Sequence, residues 1–282
     1  HCEHRTDADF LDKLGFRYDD FEALPAEEET EVDTSVLPPP KEFKAPKGKD
    51  IPPREWLYGD QVLRRYVTAT VAPGGLGKSS LKIVEALAMA TGRPLLGKPV
   101  HNGPKRVWLI NLEDSRDEMT RRIVAAMEYH GITNDDLRGR LFVTAGRDVS
   151  LIVARMERNG ATINRPVVDA LIAHIKKYRI DYVNVDPFVS SHNLPENDNT
   201  AINKVVKEWR SVADAGYCGL DLVHHTRKMG KEDNTSESAR GASALVDGAR
   251  SVLVLNRMTE EEGKRAAVPH HRSYFRVIND KA

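Results

Sequence analysis

Residues 66–80 read YVTATVAPGGLGKSS, and the fold turns on this stretch. Tyr66 to Val71 mixes β-branched and aromatic residues with small ones, the composition of a strand inside a sheet. Ala72-Pro73-Gly74-Gly75-Leu76-Gly77-Lys78-Ser79 follows with the spacing of a phosphate-binding loop, Ala72 standing where a first glycine is usual. Lys78 to Ala90 then turns helical. In a strand–glycine turn–helix sequence, successive backbone N–H groups can face inward around phosphate oxygens, and the helix dipole adds to their pull. Lys78 is placed to reach the β- and γ-phosphates, and Ser79 to offer its hydroxyl to Mg²⁺, with Ser80 beside them on the helix. The expected ligands are therefore ATP and Mg²⁺.

Outward from this stretch, strand-like and helical segments alternate. Arg106–Leu112, Arg140–Thr144, Ile180–Val185, Cys218–His224, Ser251–Leu255 and Ser273–Ile278 read as strands. Arg116–Tyr129, Val167–Tyr178 and Ala201–Ala215 read as helices. Leu151–Arg155 and Ala161–Asn164 flank an Asn159-Gly160 pair and predict a hairpin. The alternation predicts an α/β fold with a mainly parallel, twisted sheet flanked by helices, and ligands at the C-terminal ends of its strands. The segment 190–200 is polar and reads as a loop.

Residues 1–52 form a different texture, an acidic, Pro-rich arm or linker ahead of a domain over 53–282. Glu27, Glu28, Glu29, Glu31 and Asp33 are followed by Pro38-Pro39-Pro40, a composition with too little apolar surface to offset its own ordering entropy. The chain of 282 residues has 42 basic and 42 acidic side chains, which excludes a uniformly basic nucleic-acid or membrane binder. That zero is a sum of unlike parts: residues 1–50 hold 14 acids and 7 bases, leaving 28 acids and 35 bases in residues 51–282. No apolar run approaches the length of a membrane span. The two cysteines, Cys2 and Cys218, are too few for a disulfide framework and fit a reducing, cytoplasmic setting. His1-Cys2-Glu3-His4 has no second ligand pair to make a metal site, and a chain beginning at His1 reads as trimmed.

Hydrolysis requires a carboxylate that orients water. Glu113, Asp114 and Ser115 end the second strand; Ser115 with Glu118 has capping-box spacing, which leaves Glu113 as the free acid at the strand tip. Tyr182-Val183-Asn184-Val185-Asp186 ends in a carboxylate suited to Mg²⁺, while its rival Asp181 sits at the strand's entrance. His224 and His225 are adjacent on a strand and point to opposite faces, so one of them, with His225 preferred, reads as a γ-phosphate sensor.

These residues, taken in order with Asp186-Pro187 and the stretch Ala239-Arg240-Gly241-Ala242-Ser243-Ala244-Leu245-Val246-Asp247-Gly248-Ala249-Arg250, resemble the RecA-like P-loop ATPases of the plasmid RepA type, relatives of hexameric replicative helicases. The resemblance spans residues 54 to 280. It implies a homo-oligomeric ring of six subunits with ATP held between neighbours. It also implies Glu113 as catalytic base, Asp186 on the metal side, His225 coupling phosphate state to DNA-contacting loops, and Arg250 as an arginine finger, with Arg240 its rival. Single-stranded DNA would meet Lys228, Lys231 and Arg240. A replication initiator or primase would be a further partner. A DNA- or partner-stimulated ATPase without unwinding is the alternative, and a nucleotide-binding assembly module that has lost catalysis is a third.

Overall fold

Near-continuous apolar runs such as Val107-Trp108-Leu109-Ile110 and Val252-Leu253-Val254-Leu255 put apolar side chains on both faces of the strands, so both faces of the sheet are buried and each carries its own core. The computed structural model describes residues 39–146, 150–226 and 243–281. The chain divides into two units, residues 1–52 and 53–282. The described part of the first is exposed and carries a single 3₁₀ turn, Gly48–Asp50.

The second unit opens with a short antiparallel hairpin, β1 (Trp56–Tyr58) and β2 (Val62–Leu63). Then come β3 (Val67–Pro73), α1 (Lys78–Thr91), β4 (Val107–Asn111), α2 (Arg116–His130), α3 (Asn134–Leu137) and β5 (Leu141–Ala145). β6 (Ala154–Glu157) and β7 (Gly160–Ile163) lead into α4 (Arg165–Lys177). β8 (Tyr182–Asp186), β9 (His192–Asn193), α5 (Asn199–Gly216), β10 (Gly219–Thr226), α6 (Ser243–Gly248), β11 (Ser251–Arg257), α7 (Glu260–Arg265) and β12 (Phe275–Lys281) complete the order.

The central sheet has seven strands in the order β12-β11-β3-β10-β8-β4-β5. Six run parallel and only β12, at one edge, is antiparallel. On one face, Val67, Ala69, Val71, Leu220 and Leu222 pack with Val168 and Leu171 of α4 and with Val205 and Trp209 of α5. On the other, Val107 and Leu109 meet Leu87 and Met89 of α1, Met119 and Ile123 of α2, and the β1–β2 hairpin. The P-loop strand β3 lies inside the sheet, between β10 and β11, so the loop that follows it is held on both sides.

Three expectations change. The hairpin between β6 and β7 starts at Ala154, and Glu157 pairs with Gly160, so Arg158-Asn159 is the turn and Gly160, at φ +104°, belongs to the strand. The polar stretch 190–200 is anchored: Ser191, His192 and Leu194 are buried, and β9 pairs parallel with β6. Ser115 caps α2 by accepting from the Glu118 N–H at 3.3 Å, but the Glu118 carboxylate turns instead to Arg122 at 2.8 Å, so no closed box forms. Among the described residues no helix is long and apolar enough to cross a membrane.

Candidate nucleotide site

The parallel register brings the ends of β3, β10, β8 and β4 to one edge: His225 stands beside Ala72, and Asp186 beside Asn111. The loop itself needs its glycines. Gly75 has φ +71° and Gly77 φ +92°, both left-handed, and a Cβ on Gly77 would lie 3.3 Å from the Phe275 ring. Leu76 anchors the loop in a small core with Ala72, Leu253 and Leu255, leaving Gly74, Gly75 and Gly77 exposed. Gly77 is the N-cap of α1 and supplies no side-chain cap to the first N–H groups of the helix.

Lys78, the first residue of α1, is 4% exposed. Its Nζ donates to the carbonyl oxygens of Ala72 and Pro73, each at 2.9 Å, and lies 3.0 Å from Nδ1 of His225. With all three ammonium protons so directed, Nδ1 of His225 is the acceptor. Burial pushes the lysine down to about 8, against the upward pull of the Asp186 and Glu113 carboxylates.

Ser79 donates its hydroxyl to Oδ2 of Asp186 at 2.6 Å. A serine hydroxyl and a buried carboxylate in contact at one edge form a hard oxygen pair, the donor set Mg²⁺ prefers, so these residues fit the ion. Asp181 is at the opposite end of the sheet, paired with Arg64 at 2.8 Å and accepting from the Arg106 N–H at 2.9 Å.

Glu113 is exposed just past β4. Its position is set by Asn111, whose Oδ1 accepts from the backbone N–H of Glu113 at 3.0 Å and of Asp114 at 2.6 Å. Asp114 is occupied by Arg122 at 2.9 Å and by the Asn111 amide at 3.1 Å. Asn111 is the positioning residue that sequence reading missed; its signal was a polar residue closing the apolar run Val107-Trp108-Leu109-Ile110.

The two histidines separate by face as the strand period requires. His225 is exposed toward the loop, while His224 is buried on the opposite face beside Phe188, with ring centroids 6.3 Å apart. Desolvation, helped by His225 and Lys78, pushes His224 down to about 4, and its Nδ1 has no hydrogen-bond partner among the described residues. Backbone satisfaction of that nitrogen, the ordinary expectation for a core histidine, is not what the fold provides.

Ser80 is exposed on α1, one residue past Ser79. Arg250 is elsewhere: its N–H donates to the Val67 carbonyl at 2.7 Å, at the start of β3, and its guanidinium lies 5.9 Å from the Tyr66 ring centroid. β3 runs from Val67 to Pro73, and at about 3.3 Å per residue its two ends are roughly 20 Å apart. Arg250 therefore does not join the phosphate loop of its own chain. Lys228, Lys231 and Arg240 lie outside the described residues.

The parallel sheet, the glycine loop capping a helix, the buried loop lysine and the Ser79–Asp186 pair define a P-loop ATPase domain of the AAA/RecA-like type. A family model described as an AAA domain matches residues 32–231, more than half of the chain, and the chain belongs to that family. The match includes Lys78, Glu113, Asp186 and His225 and ends before Arg240 and Arg250. Comparison with curated proteins gives no match.

Proposed function

We propose that this chain is the ATP-hydrolysing, Mg²⁺-dependent motor of a ring-forming replicative DNA helicase of the plasmid or phage RepA type. The observation that carries the reading is the 3.0 Å contact between Lys78 Nζ and His225 Nδ1. Lys78 must exchange protein acceptors for phosphate oxygens when a triphosphate binds, and His225 is one of the acceptors it releases. β10 runs on from His225 through Thr226 directly into residues 227–242, which hold Lys228, Lys231 and Arg240. A change at the γ-phosphate thus has a route of three residues from the lysine to candidate DNA contacts.

In this reading Lys78 binds the phosphates, and Ser79 and Asp186 would hold Mg²⁺, which supplies charge neutralisation when bound. Glu113 orients the attacking water, and Arg250 serves a neighbouring subunit's nucleotide in a hexamer. The moderately basic domain grips single-stranded DNA in a salt-sensitive way.

The test is the ATPase rate with and without single-stranded DNA, beside a forked-duplex unwinding assay. Stimulated turnover with unwinding is expected. Stimulation without unwinding would replace the helicase by a DNA-stimulated regulatory ATPase, and no response to DNA would remove the DNA motor altogether.

A further inference from the structure

Glu113, Asp114, Asp117 and Glu118 crowd the exit of β4 and the first turn of α2, yet their surroundings differ. Asp114 and Glu118 are held by one side chain. Arg122, on the second turn of α2, donates from Nε to Oε1 of Glu118 at 2.8 Å and from Nη1 to Oδ2 of Asp114 at 2.9 Å. Helical side chains lean toward the N-terminus of their helix, which lets Arg122 reach back past the first turn to Asp114. Its neighbour Arg121 is 70% exposed and meets the other Glu118 oxygen at 3.3 Å instead.

The contacts continue inward from Asp114. The same Oδ2 accepts from Nδ2 of Asn111 at 3.1 Å, and Asn111 is buried. A carboxamide can sit in two ways, with its oxygen and nitrogen exchanged. Here the oxygen must face the backbone N–H groups of Glu113 and Asp114, at 3.0 and 2.6 Å, and Asp114 is the acceptor that satisfies the nitrogen in that orientation. Arg122 fixes Asp114 in this place with a charge-assisted bond. Without the guanidinium, Asp114 would also be a second free acid one residue from Glu113, competing for the water that Glu113 orients.

We propose that Arg122 is a positioning residue for ATP hydrolysis. Acting through Asp114 and Asn111, it fixes the backbone from which Glu113 presents its carboxylate, and it keeps Asp114 out of the water-orienting role. The inference rests on the reading that Glu113 is the catalytic base, and adds to it a cation of α2 whose effect falls on turnover and not on nucleotide binding.

The experiment uses the full-length chain and measures steady-state phosphate release and ATP affinity. Arg122→Met keeps the apolar stem and removes the fork. It is expected to lower kcat by about tenfold to a hundredfold while KM and ATP affinity stay within about twofold. In Arg122→Met/Asp114→Asn the new amide offers Asn111 a neutral acceptor and is no rival acid, so most of the lost kcat should return although the ion pair is gone. Glu118→Ala removes the other arm of the fork and should leave kcat at the wild-type level. Wild-type kcat in Arg122→Met would overturn the inference, as would a loss that Asp114→Asn does not return. An equal loss in Glu118→Ala would make the fork merely structural and overturn it as well. A loss in Arg122→Met confined to ATP affinity would make Arg122 a nucleotide contact, again against the proposal. Glu113→Gln, assayed beside these variants, tests the underlying reading separately: full turnover there would remove Glu113 as the base, and the inference with it, whatever Arg122→Met does.

Discussion

Ser79 Oγ donates to Asp186 Oδ2 at 2.6 Å, joining the first turn of α1 to the end of β8 across 107 residues of sequence. Each side chain alone is unremarkable; only the parallel register makes them neighbours. The pair is offered as the Mg²⁺ donor set, and Asp186→Asn tests it. The substitution keeps the size and removes the charge, so turnover should fall at least about a hundredfold and the Mg²⁺ concentration for half-maximal activity should rise. An unchanged Mg²⁺ dependence would move the metal elsewhere.

Glu113 is held by its own backbone through Asn111 and leaves its carboxylate exposed. Glu113→Gln should retain nucleotide affinity while turnover drops by roughly 10²–10⁴. Asn111→Ala should lower turnover through the same residue, with the double variant no worse than Glu113→Gln alone. Full turnover in Glu113→Gln would transfer the water-orienting role to another acid.

Burial sets the Lys78 ammonium near 8, below its usual 10.5. A triphosphate favours the charged form, so nucleotide affinity should hold below pH about 8 and weaken above it, by about tenfold per pH unit. Between the two values the unfolded chain carries the proton that the folded one has lost. Stability of the free protein from this group therefore rises with pH from about 8 to 10.5. Titration of affinity against pH should give this break in the wild type and none in Lys78→Arg. A flat wild-type profile would contradict the assignment.

The buried face of α1 carries a charge cluster. Lys82 Nζ meets Glu85 at 2.7 Å and Asp221 at 2.9 Å, all three at most 2% exposed, and Thr70 donates to Asp221 at 3.0 Å. Removing the one cation leaves two carboxylates buried against each other, so Lys82→Met should cost about 3–5 kcal/mol in chemical denaturation. The companion Lys82→Met/Glu85→Gln/Asp221→Leu should recover most of that loss. A single variant as stable as wild type would mean that the cluster is wet or already neutral.

The alternation that predicted a parallel α/β sheet was legible because strand and helix periods differ and because a P-loop places a strand before it and a helix after it. Lys78, Glu113 and Asp186 were legible as strand and loop ends for the same reason. The Lys82–Asp221 pair was not, because its partners are 139 residues apart and each looks like an ordinary surface charge. Ser191 and His192 were misread as loop because polar residue types conceal burial when the covering elements lie elsewhere in the sequence. Arg250 could be placed beside its strand, but only the register of Ser251 with Thr68 shows that it stands at the far end from its own phosphate loop.

Lys78, caught between the Ala72 and Pro73 carbonyls and His225, is the lysine proposed to take the phosphates of ATP. Steady-state phosphate release by Lys78→Ala, measured beside the wild type and with folding verified by circular dichroism, tests it most directly. Turnover at the level of the blank is expected. Turnover equal to the wild type would contradict it.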